Sequence, residues 1–288
     1  MNAFELKINK YLNQKTIKEV LSFFHLGKDK IKDFSLNNSF FVNDNLVDIN
    51  YVVKENDYLQ IKLDEKINIA PYFKQIDIVY EDKYFLIVNK EKNILIHSDG
   101  NDNKTLANMV SNYFKQKHIR RNIRFSNRLD YLTTGLVIFC KDPITEAYMD
   151  YLIRERKIEK RYYAVCYNRF SSKEGVIDLP ISRDRHNDQK MIVYKKGKEA
   201  ITKYKVIKNG SISVCDVELV TGRTHQIRVH LSNMNHPLVG DNLYGIDDQK
   251  ELLLQAYMLK FNHPFIDKEI KVTLPMDDNI KKIMDYGK

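Results

Sequence analysis

The chain has 288 residues, a formal net charge of +9 at pH 7 and 43% hydrophobic residues. It is long and apolar enough for a large domain and a small one, because a single core stops growing near ~250 residues. The excess of Lys and Arg favours a polyanionic partner without naming it. No apolar run reaches the ~18 residues of a membrane span, and the first residues do not resemble a leader peptide. We therefore expect a soluble, cytoplasmic protein with no membrane contact.

The first 65 residues predict a small domain of two short helices followed by strands. Residues 16–36 show apolar positions at helical spacing on both sides of Gly27. Short strands are expected at 40–43 and 58–63, around a turn-rich stretch. Residues 66–75 have little periodicity and contain Pro71, which predicts a linker.

Residues 76–288 predict a large α+β domain. A helix is expected over 105–118, and Asp142 followed by Pro143 predicts the start of another helix that ends near residue 156. Strands in series, rather than in strict alternation with helices, favour a largely antiparallel mixed sheet with flanking helices. The predicted strands are 76–80, 84–90, 161–167, 190–194, 200–207, 212–220, 252–261 and 270–274.

The cysteines Cys140, Cys166 and Cys215 lie singly in apolar runs. Their spacing fits neither a zinc site nor a disulfide framework. We interpret them as buried thiols of a protein from a reducing compartment.

Two distant motifs carry most of the functional information. Residues 127–136 read Asn-Arg-Leu-Asp-Tyr-Leu-Thr-Thr-Gly-Leu, and residues 222–230 read Gly-Arg-Thr-His-Gln-Ile-Arg-Val-His. An acid between apolar neighbours on a turn, with an arginine from a distant segment able to pair with it, would make an active site with one carboxylate. Two further motifs are Lys-Arg-Tyr-Tyr-Ala at 160–164 and Gly-Asp-Asn-Leu-Tyr-Gly at 240–245.

These four motifs, in this order, resemble the RluA-type family of RNA pseudouridine synthases over residues 76–275. Residues 1–65 show a weaker likeness to an S4-type RNA-binding module. The resemblance implies the pseudouridine synthase fold and the isomerisation of uridine in structured RNA, most favourably 23S ribosomal RNA, without metal or cofactor. Transfer RNA is the alternative substrate, and an inactive RNA-binding or ribosome-assembly factor is the competing hypothesis. A monomer is expected.

The resemblance also assigns the central residues. Asp130 would be the essential carboxylate, acting as nucleophile or as base. Arg228 would keep it ionised, with Arg223 as the competing candidate. Tyr162 would stack on the extruded uracil, whereas Tyr163, on the opposite face of the strand, would not. For each of these residues a purely structural role is the alternative.

Extruding a nucleotide costs a few kcal/mol, which contacts elsewhere must offset. Leu129 and Ile227 are candidate apolar walls around the base, or plain core. A run from 115 to 128 is basic and free of acids, which suits phosphate tracking as well as a solvated face. A weaker basic stretch at 183–198 has the character of a loop that could close on RNA. The basic candidates for RNA binding are Arg121, Arg124, Arg128, Lys160 and Arg223.

The chain departs from the family pattern at several positions. Asn127 stands where His is usual, Thr134 replaces Ser, and Gln255 replaces His. Glu91, Lys92 and Asn93 stand in place of Pro-x-Gly. The loss of the Pro and Gly is expected to alter the edge of the cleft and the choice of substrate.

Overall fold

The N-terminal unit is a small antiparallel sheet covered by helices. The structure is a computed structural model that describes residues 2–98, 100, 103–247 and 249–285. Both predicted helices and both predicted strands of this unit are present. The elements are β1 (Ala3–Lys7), α1 (Ile17–Phe23), α2 (Lys28–Leu36), β2 (Phe40–Val42), β3 (Asn45–Leu46) and β4 (Tyr58–Lys62).

Strand β1 was not predicted, although it opens the chain and pairs with β4 along its whole length. The resulting sheet has the order β1, β4, β2, β3. Helix α1 begins at Thr16, whose backbone N–H donates to Glu19 Oε2 at 2.7 Å while the Glu19 N–H donates to Thr16 Oγ1 at 3.2 Å. This reciprocal capping satisfies N–H groups that a helix start leaves unpaired.

Residues 64–76, here called the strap, join the two units without forming a helix or strand. The strap packs on the large unit, because Ile67, Ile69 and Tyr72 contact its core. Ser111 Oγ donates to the carbonyl oxygen of Ile69 at 2.5 Å, and Asn108 Nδ2 donates to that of Ala70 at 2.7 Å. Side chains of one helix therefore hold the middle of the strap.

The large unit consists of one extended sheet with helices packed against it. Its elements are β5 (Asp77–Glu81), β6 (Phe85–Lys90), α3 (Leu106–Gln116), β7 (Arg124–Phe125), β8 (Thr134–Cys140), α4 (Pro143–Arg154), β9 (Glu159–Tyr167), β10 (Glu174–Asp178), β11 (Ile181–Arg183), β12 (Met191–Val193), β13 (Ile201–Lys208), β14 (Ile212–Leu219), α5 (Gln226–Asn233), β15 (Leu254–Asn262), β16 (Glu269–Thr273) and α6 (Asp278–Asp285).

Strands β10, β13, β14, β9, β15, β8, β6 and β5 follow one another across this sheet, with β16 added to β15 and β7 to β8. The pair β15 and β8 is parallel, and the other pairs are antiparallel. Strands β11 and β12 form a separate hairpin. The predicted α+β fold with a largely antiparallel mixed sheet is confirmed.

The parallel pairing of β8 with β15 depends on Gly135, which belongs to the 127–136 motif. This residue lies opposite Ala256 and has a φ of +118°, which L side chains rarely adopt. A Cβ atom there would lie 2.1 Å from the carbonyl oxygen of Ala256. Glycine is therefore required for β8 to approach β15.

The predicted helix starts are confirmed at α3 and α4. Asp142 Oδ1 accepts hydrogen bonds from Ile144 N at 3.0 Å and Thr145 N at 2.8 Å, with Pro143 in the first position. Strands β3, β7, β8, β10 and β11 and helices α5 and α6 were not predicted from the sequence. The three cysteines are buried free thiols, as predicted. In the described residues, no helix is long and apolar enough to cross a membrane.

Candidate active site

The turn before β8 carries Asp130 to the edge of a small cavity. The N–H of Thr133 donates to the carbonyl oxygen of Asp130 at 3.1 Å and closes this turn. Asn127, which replaces the usual His, accepts from Ile138 N at 2.8 Å and donates to the carbonyl oxygen of Leu136 at 3.0 Å. Asn127 thus fixes the turn to the strand that follows it. The Asp130 side chain stays 26% exposed.

Arg228 approaches Asp130 from the first turns of α5. Its Nη1 lies 3.6 Å from Asp130 Oδ2, while its Nε and Nη2 each donate to Asp241 at 2.8 Å. Arg228 is 6% exposed and Asp241 fully buried. Burial opposes the charged form of Arg228, but its bonds with Asp241 outweigh burial and raise its pKa. The arginine therefore stays charged and presents its remaining edge to Asp130.

Asp241 was missed as the main partner of Arg228. Asp241 belongs to the Gly-Asp-x-x-Tyr-Gly motif, but nothing in the sequence indicates that this motif packs against α5. His225 was missed too, and its Nε2 lies 3.8 Å from Asp130 Oδ2.

Tyr162 and Tyr163 lie on opposite faces of β9. Tyr162 is buried and lines the cavity beside Asp130. Burial, and secondarily the charge of Asp130, raises the pKa of Tyr162, so its hydroxyl stays protonated. Tyr163 instead stacks on Tyr257 on the other side of the sheet, with ring centroids 3.9 Å apart. The structure thus brings Tyr162, and not Tyr163, to Asp130.

The cavity has a volume of about 50 Å³ and mixed walls. Leu129 and Ile227 contribute to the apolar part, as expected from the sequence. Arg128 and Arg223 line it too, and both are exposed. Arg223 Nε donates to the carbonyl oxygen of Glu199 at 2.8 Å. The remaining lining residues are Thr133, Leu219, His225, Gln226 and Leu254.

Two polar residues of the 222–230 motif fasten α5 to the sheet. Gln226 Nε2 donates to Thr202 Oγ1 at 2.9 Å and to the carbonyl oxygen of Ile201 at 3.0 Å. His230 places Nδ1 2.9 Å from Thr202 Oγ1 and Nε2 2.9 Å from the carbonyl oxygen of Leu179. These bonds set the position from which Arg228 reaches Asp130.

The buried Lys90 donates hydrogen bonds to the turn that carries Asp130 and to the turn after β6. Lys90 Nζ donates to the carbonyl oxygens of Glu91, Ile94 and Tyr131 at 2.9, 3.0 and 3.2 Å. Burial lowers the pKa of Lys90 to about 8, and the charge of Asp130 acts in the opposite direction. The ammonium therefore joins the turn after β6 to the turn that carries Asp130.

The turn after β6, where Glu91, Lys92 and Asn93 stand in place of Pro-x-Gly, contacts the turn that carries Asp130. Asn93 takes a left-handed φ of 59°, which Asn adopts more readily than most residues. Its N–H donates to the carbonyl oxygen of Tyr131 at 3.0 Å. This turn is therefore bonded to the turn that carries Asp130, and the expected effect of the lost Pro and Gly on the cleft edge stays a prediction.

Two of the basic candidates do not reach the cavity. Arg124 is buried and paired with Glu65 and Glu146. Arg121 donates to the carbonyl oxygens of Ala3, at 2.7 Å, and Lys141, at 3.1 Å. These guanidinium groups are engaged between the N-terminal unit, the strap and the large unit. The interpretation of Arg121 and Arg124 as phosphate-binding residues is corrected accordingly.

Lys160 lies near the cavity but is not among the residues that line it. Its Nζ is close to Gly222, at 3.5 Å from where a Cβ atom would stand. Burial lowers the pKa of Lys160. Among the residues that the structure describes, none forms an ion pair or hydrogen bond with this ammonium.

Comparison with known proteins identifies the family. A family model described as RNA pseudouridylate synthase matches residues 84–233, which include Asp130, Tyr162 and Arg228. The chain belongs to this family. An uncharacterized RNA pseudouridine synthase of Bacillus subtilis, YhcT, is 31% identical over 265 residues, covering 89% of this chain and 88% of that protein. Ribosomal large subunit pseudouridine synthase D of Blochmanniella floridana is 31% identical over 295 residues, covering 90% and 89%.

A solved structure supports the same assignment. Human RNA Pseudouridylate Synthase Domain Containing 1 superposes with a TM-score of 0.59 at 25% identity, covering 70% of this chain and 83% of that one. The chain is thus an RNA pseudouridine synthase, an isomerase. Its reaction breaks the bond from ribose C1′ to uracil N1 and remakes it to C5.

Proposed function

We propose that this enzyme isomerises specific uridines in structured RNA, most favourably 23S ribosomal RNA, with Asp130 as the essential carboxylate. The observation that carries the proposal is the position of Asp130 in the cavity, 3.6 Å from the buried guanidinium of Arg228 and beside Tyr162. Among the described lining residues, Asp130 is the one acid. Relatives named ribosomal large subunit pseudouridine synthase D support a ribosomal substrate.

The other cavity residues take complementary roles in this proposal. The ring of Tyr162 stacks on the extruded uracil, and Leu129 and Ile227 exclude water around it. Arg228 faces the Asp130 carboxylate at 3.6 Å and attracts it electrostatically, which favours one orientation of the side chain.

RNA is held outside the cavity by basic residues. Arg128 and Arg223 are exposed at its walls, and Lys160 lies nearby with its ammonium free of partners among the described residues. These three positions suit phosphate oxygens, whose binding offsets the cost of extruding the nucleotide.

The N-terminal unit, residues 1–65, acts in this proposal as an S4-like RNA-binding domain. Its support is the pair of helices beside a small sheet, with Lys28 and Lys32 exposed on α2. The protein works as a monomer in the cytoplasm, where structured RNA is available to it.

The test is a map of pseudouridines in ribosomal and transfer RNA from cells that lack this gene. Wild type, Asp130→Asn and Asp77→Asn are returned separately. Asp77 is a matched control, because it is exposed on β5 and accepts a hydrogen bond from Asn89 outside the cavity. Sites lost on deletion should return with wild type and Asp77→Asn but not with Asp130→Asn.

The RNA positions at which pseudouridine returns identify the substrate. Restoration confined to transfer RNA would replace the ribosomal assignment, and restoration by Asp130→Asn would refute the role of Asp130. A map unchanged by deletion would favour an RNA-binding or assembly factor. Purified Asp130→Asn should still bind the same RNA, since the substitution preserves the size of the side chain and leaves the basic residues in place.

A further inference from the structure

His225 and Tyr244 form a hydrogen-bonded pair beside Asp130. The two atoms joined are His225 Nδ1 and Tyr244 Oη, at 2.7 Å. The backbone N–H of Met191, at the start of β12, donates to the same Tyr244 oxygen at 2.8 Å. The opposite edge of the imidazole faces Asp130, with Nε2 at 3.8 Å from Oδ2.

These contacts favour one of the two tautomers of a neutral His225. Met191 N–H occupies one lone pair of Tyr244 Oη, and a lone pair on Nδ1 gives the hydroxyl hydrogen an acceptor. Nε2 then carries its hydrogen toward the Asp130 carboxylate. The other tautomer would turn a lone pair toward that carboxylate and leave the Tyr244 hydroxyl hydrogen without this acceptor.

Backbone conformation and hydrogen bonds fix the positions of His225 and Tyr244. His225 has a left-handed φ of 56° immediately before α5. The Tyr244 N–H donates to Asp241 Oδ1 at 3.2 Å, and its carbonyl oxygen accepts from Ser232 Oγ at 2.6 Å. The guanidinium carbon of Arg228 lies 5.0 Å from the centre of the Tyr244 ring. The pair is thus built into the network that also positions Arg228.

Burial favours the neutral form of the imidazole. Burial lowers the pKa of His225, and Arg228 acts in the same direction. The carboxylates of Asp130 and Asp241 oppose this effect without reversing it. At neutral pH the ring is therefore a hydrogen-bond donor without charge.

We propose that His225 is a positioning residue for Asp130, held by Tyr244 as the tautomer protonated on Nε2, and that the β11–β12 hairpin secures this state through the N–H of Met191. The Nε2–H group, at 3.8 Å, and the Arg228 guanidinium, at 3.6 Å, then face the same carboxylate oxygen and orient Asp130 by electrostatic attraction. The proposal rests on the proposed role of Asp130 in the reaction.

The first test reads the tautomer directly in the free protein. Nitrogen NMR of protein labelled with 15N in histidine reports which ring nitrogen is protonated, and His225→Gln assigns the signals. Wild type should show protonated Nε2, and Tyr244→Phe should show a mixture of both tautomers. Protonation on Nδ1 in wild type, or an unchanged pattern in Tyr244→Phe, would overturn the proposal. The wild-type spectrum decides even if the variant does not fold.

The second test measures kcat and KM separately, on ribosomal RNA from cells lacking the gene. Tyr244→Phe keeps the ring over Arg228 and should lower kcat by about tenfold with little change in KM, the effect of one hydrogen bond. Tyr257→Phe is the matched control, since its hydroxyl bonds Asp216 on the other side of the sheet. It should leave both constants unchanged.

Coupling separates a role through His225 from a general loss of structure. In a His225→Ala background, Tyr244→Phe should lower kcat no further, because the group it positions is gone. An equal loss in both backgrounds, or a change confined to KM, would contradict the proposal. If wild type does not modify the ribosomal RNA, the proposed substrate fails, whereas the tautomer measurement still decides the role of Tyr244.

Discussion

Replacing Asp241 by Asn tests whether buried Arg228 depends on a charged partner. Arg228 is 6% exposed, so it cannot exchange Asp241 for water. Removing one partner of such a pair costs about 3–5 kcal/mol, because the other charge is left buried. The amide oxygen of Asn can still accept one of the two bonds, which recovers roughly 1 kcal/mol. We expect Asp241→Asn to lower the free energy of unfolding by about 3 kcal/mol.

Urea unfolding of Asp241→Asn, Arg228→Met and the double variant checks this expectation. In the Arg228→Met background the Asn substitution should cost much less, since no buried cation remains to be stranded. Glu218→Gln is the control, because Glu218 pairs with Lys203 at 2.9 Å on the surface, where such a pair contributes about 0–1 kcal/mol. A loss for Asp241→Asn as small as that of the control, or equal losses in both backgrounds, would refute the reasoning.

Two further substitutions, at Asp82 and Gly135, test contributions to the stability of the large unit. Burial raises the pKa of Asp82, but hydrogen bonds, first the one from His263, outweigh it and lower the pKa from 3.8 to about 2. At pH values above the pKa of the unfolded state, this depressed pKa adds about 2 kcal/mol to the free energy of unfolding. That contribution is lost as the pH falls toward 2. The stability difference between wild type and Asp82→Asn in urea should therefore narrow between pH 5 and pH 2; a constant difference would contradict the assignment. Gly135→Ala should cost at least about 2 kcal/mol and lower the thermal midpoint, because its Cβ would meet Ala256 at a positive φ. Gly27→Ala, with no atom within 4 Å of the added Cβ, is its control.

Structural features that depend on residues close together in the sequence could be predicted from local sequence patterns. The N-cap at Asp142 involves only the next three residues, so the start of α4 could be read directly. The alternation of a strand placed Tyr162 and Tyr163 on opposite faces without further information. The order of the four motifs carried the fold, which the comparisons confirm.

Features that depend on distant partners could not be read in this way. A run of basic residues has the same composition whether it faces solvent or a neighbouring unit. Arg124 became structural because Glu65, from the strap, folds onto it. Arg228 likewise carried no sign that Asp241, rather than Asp130, would take its bidentate bonds. In both cases the deciding carboxylate comes from a separate element.

The residues that depart from the family pattern each make defined contacts in this chain. Asn93 supplies the left-handed residue that a glycine would otherwise provide, and Asn127 donates and accepts at the start of β8. Gln255 accepts from Asp277 N at 2.9 Å and donates to the carbonyl oxygen of Pro275 at 3.0 Å, outside the cavity. These bonds show how the chain accommodates the substitutions, and their effect on substrate choice stays a prediction.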